Sequence, residues 1–448
     1  MRKYPNYKAT EVKGIPSIPK DWAINKIKFV SKTIAGGTPD TKNVQFWENG
    51  TIPWLPSGKV HDCNIYEEDA DTFITELGLK GSAAKLIPKN SILIALTGAT
   101  CANIAHLHFS ATANQSVVAM PGSKKIENRY LFYCLLGIRE QILINKTGGA
   151  QSGINDGDIK NTQIPYPSLP EQLAIVRFLD YKTGQIDSFI ANRQKQIELL
   201  KEQKAGIINK AVTKGINPNA KMKDSGLNWL PEIPVSSEVM TLKHLVKIKI
   251  TDGPHLTPTP VENGIPFISA EAIQDHSINF NSKWGDISYE DHLLFSKKCK
   301  PQNGDIFIVK SGATTGKVAY VNTEIEFNIW SPLALVRADE KKVSSLYLFY
   351  YIISKSFLEQ IQFSWSFGTQ QNIGMGVIQN LKIITPSLKQ QNEIVELIKS
   401  ETLTIDTLIS KYQKQIDLMQ EYRTSSISQA VTGKIDVREW EPKKQQTA

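Results

Sequence analysis

A chain of 448 residues, 41% hydrophobic and 21% charged, holds enough apolar material for several globular cores, which excludes wholesale disorder and a fibrous repeat. Lys and Arg number 52 against 44 Asp and Glu, a formal net charge of +8 with a pI near 9.0, so an anionic partner is favoured without separating nucleic acid from an acidic membrane surface. Met1-Arg2-Lys3-Tyr4-Pro5 leads into no apolar stretch, and the hydrophobic run Leu346–Ile353 is far too short for a bilayer; a soluble, cytoplasmic protein is expected.

In chain order, residues 1–167 read as a mixed unit dominated by short strands. Ser91–Leu96 is a strand bounded by the turn residues Pro88-Lys89-Asn90, and a short helix fits Arg129–Asn145. Cys63, Cys101, Cys134 and Cys299 form no Cys-x-x-Cys pair and are expected as buried thiols. His106-x-His108 puts two imidazoles on one strand face without a third ligand nearby in sequence, so a surface or core pair is the better reading than a metal site.

Residues 168–215 carry Ile175, Leu179, Ile186, Ile190, Ile197, Leu200, Ile207 and Ala211 at steps of three and four, a seam of the coiled-coil type. About 40 such residues make a rod of roughly 60 Å. Gly215-Ile216-Asn217-Pro218-Asn219 ends it, because Gly and Pro do not extend a helix. Residues 216–386 hold this linker and a second mixed unit, with a strand at Asp305–Val309 and a short helix near Leu346–Gln362. A second seam follows within residues 387–436, through Ile394, Ile398, Ile405, Ile409, Ile416, Met419, Ile427 and Ala430, before a tail at 437–448.

The second half repeats the first. Displaced by 219 positions, Pro167-Ser168-Leu169 falls on Pro386-Ser387-Leu388, Gln172 on Gln391, Ile186-Asp187 on Ile405-Asp406, and Gln194-Lys195-Gln196-Ile197 on Gln413-Lys414-Gln415-Ile416. About 50 ungapped positions share roughly 20 identities. The likeness continues upstream with less fidelity, Leu93–Thr100 resembling Phe307–Thr314. Each seam needs a partner, and the cheapest partner is the other copy. The expected fold is therefore α+β: two mixed α/β domains separated by a long antiparallel two-helix coiled coil, with an internal pseudo-two-fold repeat.

Chemistry-bearing motifs are scarce. Gly312-Ala313-Thr314-Thr315-Gly316-Lys317 is one residue short of a phosphate-binding loop and is followed by Val318. Glu202-Gln203-Lys204 and Glu340-Lys341-Lys342 match only the tail of a nuclease motif. No Asn/Asp-Pro-Pro-Tyr/Phe, no Gly-x-Gly-x-x-Gly after a strand and no nucleophilic triad occurs. Basic charge, duplicated heads and a rigid spacer describe a DNA-binding protein with two reading heads, and no catalysis of its own. Unlike heads on a fixed rod would read an asymmetric target of two half-sites.

On these residues the chain resembles the specificity subunit of a Type I restriction-modification enzyme. The resemblance rests on Ile164-Pro165-Tyr166-Pro167-Ser168-Leu169-Pro170-Glu171-Gln172 running into Ile175-Val176 and Leu179-Asp180, on its echo at Ile383–Gln391, and on Met222–Pro234 leading into the second unit. It departs where Trp22 of the first domain meets Ser237 of the second, and where Pro170-Glu171-Gln172 becomes Lys389-Gln390-Gln391. The resemblance implies two target-recognition domains (1–167 and 216–386) and two conserved helical regions acting as ruler and docking site. The implied partners are double-stranded DNA, two modification (methyltransferase) subunits, and restriction (translocase/endonuclease) subunits. S-adenosylmethionine, ATP and Mg are expected on those partners, with no cofactor or metal on this chain and no membrane association. The competing reading is a stand-alone DNA-binding or scaffold protein without methyltransferase partners.

Candidate DNA contacts are the turn Ser311, Thr314, Thr315 and Lys317, its counterpart Thr97 and Thr100, and the glycine loops with Gly149 and Gln151 and with Thr369, Gln370 and Gln371, since Gln suits bidentate pairing with adenine. Lys59, Lys85 and Lys310 are candidate phosphate contacts. Candidate seam residues are Ile186, Ile190, Ile197, Leu200 and Ile207 on the first rod and Ile405, Ile409, Ile416, Met419 and Ile427 on the second.

Overall fold

The computed structural model describes residues 2–144, 153–363 and 372–442. Four helices organise it: α1, Asn128–Gly137; α2, Leu169–Lys214; α3, Ser345–Ile352; and α4, Leu388–Val431. The long ones, α2 and α4, run unbroken for 46 and 44 residues. Their ends follow from local chemistry. Pro170 sits in the first turn of α2, where no intrahelical N–H is needed, and the Ser168 carbonyl accepts from the amides of Glu171 and Gln172. Past the C-terminal ends, Gly215 and Gly433 adopt φ of +72° and +71°; the Gly215 amide returns to the Ala211 carbonyl and the Lys434 amide to that of Gln429, closing each helix with a left-handed glycine.

The chain forms two compact units, residues 1–194 with 414–448, and residues 195–413. The division falls inside both long helices rather than at the 167/168 and 386/387 steps read from sequence. The reason is packing: each head shares its core with the start of the helix that follows it and with the end of the other. In the first unit Ile175, Phe178 and Leu179 of α2 join Ile427, Ala430 and Val431 of α4 around Tyr130, Tyr133 and Ile164. In the second, Ile394, Val395 and Ile398 of α4 join Ile208, Ala211 and Val212 of α2 around Tyr347 and Ile384. Within each unit the helices run antiparallel. Asp187 bonds Arg423 at 3.0 Å in the first, and Lys204 bonds Asp406 at 2.6 Å in the second. Displacement by 219 carries Asp187 onto Asp406 and Lys204 onto Arg423, so the two ion pairs are one contact made twice.

In the first head, β1 (Ile34–Ala35), β2 (Cys63–Ile65), β3 (Ser91–Ala95), β4 (Ile104–Leu107) and β5 (Val117–Met120) form a sheet of order β1-β5-β3-β4-β2, and α1 packs on β3 and β4. The second head repeats it with β6 (Thr251–Asp252), β7 (Ile306–Val309), β8 (Val318–Tyr320) and β9 (Leu333–Val336), in the order β6-β9-β7-β8. The central strands are buried on both faces, which is why they read as continuous apolar runs. Each head adds a smaller three-stranded sheet with one parallel and one antiparallel pairing, centred on Ile52–Leu55 and on Ile265–Ile268.

Buried polar pins lock each head to its helix, and they too are duplicated. Gln172 donates to the Pro167 carbonyl at 2.9 Å and accepts from the Glu127 amide at 2.9 Å. Gln391 does the same with Pro386 and Ser344, at 2.8 Å each. Both glutamines are fully buried. Tyr130 donates to the Pro165 carbonyl, and Tyr347 to that of Ile384. Two segments differ from the sequence reading. Met222–Pro234 is a β-hairpin seated on the second core through Leu230 and Ile233, rather than plain linker. Cys63 is half-buried, unlike the buried Cys101, Cys134 and Cys299, and all four are free thiols.

Candidate nucleic-acid interface

Equivalent hairpin turns close the central sheets of both heads. Between β3 and β4 the chain turns through Gly98 at φ +72° and Ala102 at +64°, and the Ala102 amide returns to the Ala95 carbonyl at 2.8 Å. Between β7 and β8 it turns through Gly312 at +99° and Gly316 at +92°, and the Gly316 amide returns to the Val309 carbonyl at 2.8 Å. Here the Thr315 and Lys317 amides bond back to Gly312 and Thr314, and the strand β8 follows. A phosphate-binding loop instead aims its amides at the ligand and opens a helix. The turn presents side chains: Lys317 is exposed, and Ser311, Thr314 and Thr315 are half-exposed; in the first head Thr97 is exposed and Thr100 half-exposed. The Thr315 hydroxyl donates to the Gly312 carbonyl at 2.7 Å.

The candidates Gly149, Gln151, Thr369, Gln370 and Gln371 lie outside the described residues. The first described positions beyond them pair with the turns: Gly153 bridges Thr97, and Asn372 bridges Ser311.

The three candidate lysines differ. Lys85 is exposed. Lys59 bonds Asp71 at 2.8 Å with its side chain 30% exposed. Lys310 is largely enclosed, at 13% exposure, with its ammonium 3.0 Å from Asp252. The Asp252 carboxylate also accepts from Lys298 at 2.7 Å, and His255 stands 3.6 Å away. Burial works to raise the Asp252 carboxyl, but the two lysine hydrogen bonds outweigh it and hold the group below the usual carboxylate range. Sequence reasoning missed Asp252 and Lys298. The repeat sets Lys310 opposite Leu96, but only strand register sets Asp252 opposite Ala35.

The residues proposed for the seam fall into two grades. Ile186, Ile197, Ile405, Ile416 and Ile427 are buried, whereas Ile190, Leu200, Ile207, Ile409 and Met419 are half-buried. Buried polar positions share the stripe: Thr183 and Thr402 occupy equivalent places, each about 5% exposed or less. Lys204, read as the end of a nuclease-like motif, is committed to Asp406.

His106 and His108 do lie together, rings 4.4 Å apart, but their surroundings oppose charge. His106 Nε2 meets Asn90 Oδ1 at 2.6 Å, and the Arg129 guanidinium approaches Nδ1 at 3.4 Å. Burial first, then His108 and Arg129, push His106 down to about 4. Arg129 itself bonds Asp180 at 2.9 Å, so this cluster ties β4 and α1 to α2. Among the described residues no group of three His, Cys, Asp or Glu side chains is placed to hold a metal ion, and no helix is long and apolar enough to cross a membrane.

Comparison with known proteins agrees with the duplicated architecture. The family model for the Type I restriction modification DNA specificity domain matches residues 19–199 and again 234–418. The Type I restriction enzyme MjaVIII specificity subunit of Methanocaldococcus jannaschii is 27% identical over 98% of each chain. The MjaIX specificity subunit of the same organism is 26% identical over 95% of this chain and 96% of its own. A solved chain described as "Structural basis underlying complex assembly and conformational transition of the type I R-M system" superposes over 93% of this chain and 99% of its own, with a TM-score of 0.64 at 17% identity, which is a likeness of fold.

Proposed function

Because the chain belongs to the Type I restriction-modification DNA specificity family, we propose that each of its two heads reads one half of an asymmetric, bipartite DNA target and that the paired long helices set the gap between the halves. The observation carrying this reading is the duplication. One contact geometry is made twice, in Asp187–Arg423 and Lys204–Asp406, while the heads' surface turns differ, Gly98-Ala99-Thr100-Cys101 against Gly312-Ala313-Thr314-Thr315. Equal scaffolds bearing unequal turns suit a reader of two unlike half-sites. Ser311, Thr314, Thr315 and Lys317 in one head, and Thr97 and Thr100 in the other, serve as groove contacts, and the exposed Lys85 serves as a phosphate contact. The glycine-loop residues Gly149, Gln151, Thr369, Gln370 and Gln371 are proposed as further DNA contacts on the strength of the sequence alone.

The chain supplies sequence choice, and the chemistry comes from partners. Modification subunits that bind S-adenosylmethionine dock on it, and ATP-driven restriction subunits join them. The test is sequencing of methylated adenines in a host that expresses this chain with a modification subunit. A methylated motif of two unlike short blocks around a fixed gap is expected. A single uninterrupted motif, or none, refutes the reading.

A further inference from the structure

The two heads share a sheet but differ at the end of its edge strand and just past its central strand. In the first, β1 ends in Ala35 and the strand β3 leads into Leu96, and both register apolar positions: Ala35 pairs with Val118, which pairs with Ile94. In the second, the same lattice runs Asp252 to Ala334 to Ile308, with Lys310 where Leu96 stands. An exposed alanine and a buried leucine in one copy are thus a buried aspartate and a largely enclosed lysine in the other. Stability does not explain the exchange, because replacing a buried ion pair by apolar groups is usually neutral or stabilising.

Charge balance gives the exchange a purpose. The single carboxylate of Asp252 faces two ammonium groups, Lys298 on Oδ1 and Lys310 on Oδ2, leaving one positive charge in excess. Lys298 also donates to the Gly253 carbonyl at 2.8 Å, so two of its three donors are used. Lys310 meets one carboxylate oxygen among the described residues, in a side chain only 13% exposed. Spare donors on a partly enclosed cation call for a further acceptor. The site adjoins the surface turn, since Lys310 directly precedes Ser311 and its carbonyl accepts from the Ile373 amide.

We propose that Asp252, Lys298 and Lys310 form a seat for one phosphodiester of the bound duplex, present in the second head and missing from the first. The lysines touch the phosphate; Asp252 is a positioning residue that holds both ammonium groups at the turn. This rests on the reading of the chain as a DNA binder. It makes the second head the more salt-sensitive of the two.

The experiment measures binding of the full chain to the duplex identified by methylation sequencing, as a function of salt. The variant Lys310→Gln leaves Asp252 with Lys298 alone and so removes the excess positive charge of the seat. Lys298→Gln, at an exposed position, supplies a second variant that removes the same charge. Each neutralised phosphate contributes about 0.9 to the slope of log K against log salt. Raising salt from roughly 50 to 200 mM therefore weakens each variant about 3.5-fold less than the parent chain. Slopes equal to the parent's in both folded variants overturn the seat. A parent chain that shows no preference for the duplex overturns the DNA-binding reading instead.

Discussion

Replacing Gln172 by Leu roughly keeps the side-chain volume and removes both hydrogen bonds that the Gln172 side chain makes. The Pro167 carbonyl and the Glu127 amide, now bonded at 2.9 Å each, would be left in a site with no water access at residue 172. A buried backbone group without a partner costs about 1–3 kcal/mol, so the pair costs about 4 kcal/mol. For a unit of this size each kcal/mol lowers the midpoint by about 2–4 °C, giving a loss of roughly 10 °C in the transition of the first unit. Calorimetry of the full chain reads this, with the exposed Gln203→Leu as the matched control expected to move little. Gln391→Leu produces at least as large a loss in the second unit, because Gln391 makes the same two bonds and also donates to the Lys342 carbonyl at 3.3 Å. Midpoints within about 1 °C of the parent for both buried variants would refute the assignment of these glutamines as pins.

Gly137→Ala places a Cβ 2.5 Å from Val431 Cγ2 and 3.2 Å from Ser428 Cα, so α1 and α4 must separate; a loss of about 1–3 kcal/mol in denaturant unfolding is expected. His106 titrates near 4 when folded and near 6.5 in its ordinary state, so the unfolded chain binds the extra proton between these values. Its contribution is complete above pH 6.5 and is lost as pH falls toward 4, with a slope of up to about 1.4 kcal/mol per pH unit; His106→Asn flattens that part of the stability profile. Deleting seven residues from both long helices, within 186–200 and 405–419, removes about 10 Å of rise. Methylation mapping should then find half-sites unchanged in sequence and about 3 base pairs closer. Exchanging residues 1–160 for the first domain of another family member should change one half of the target and leave the other.

Much of the architecture was legible because it depends on short-range order. Three-and-four spacing made Leu169–Lys214 and Leu388–Val431 helices, Gly215 ended the first, and the repeat set Ile186-Asp187 on Ile405-Asp406, whereas the cross-helix partners Arg423 and Lys204 and the end of the second helix at Gly433 came from the structure. The surface turns were found the same way, as glycines after apolar strands. Helical phase was read less sharply: Ile207 is half-buried while its neighbour Ile208 is buried, because a seam read by eye drifts by a residue over many turns.

Periodicity could not show which distant groups meet. Lys310 looked like any surface lysine, yet it is enclosed against Asp252, 58 positions earlier, because β6 and β7 flank the same strand. Gln172 was visible as a repeated letter, and its role as a buried bracket required Glu127 to fold back onto α2. Local pattern thus determined the helices, their ends and their duplication. Tertiary structure decided the pairing of charges and the burial of polar groups, since these depend on long-range strand order and helix packing that no window of neighbouring residues contains.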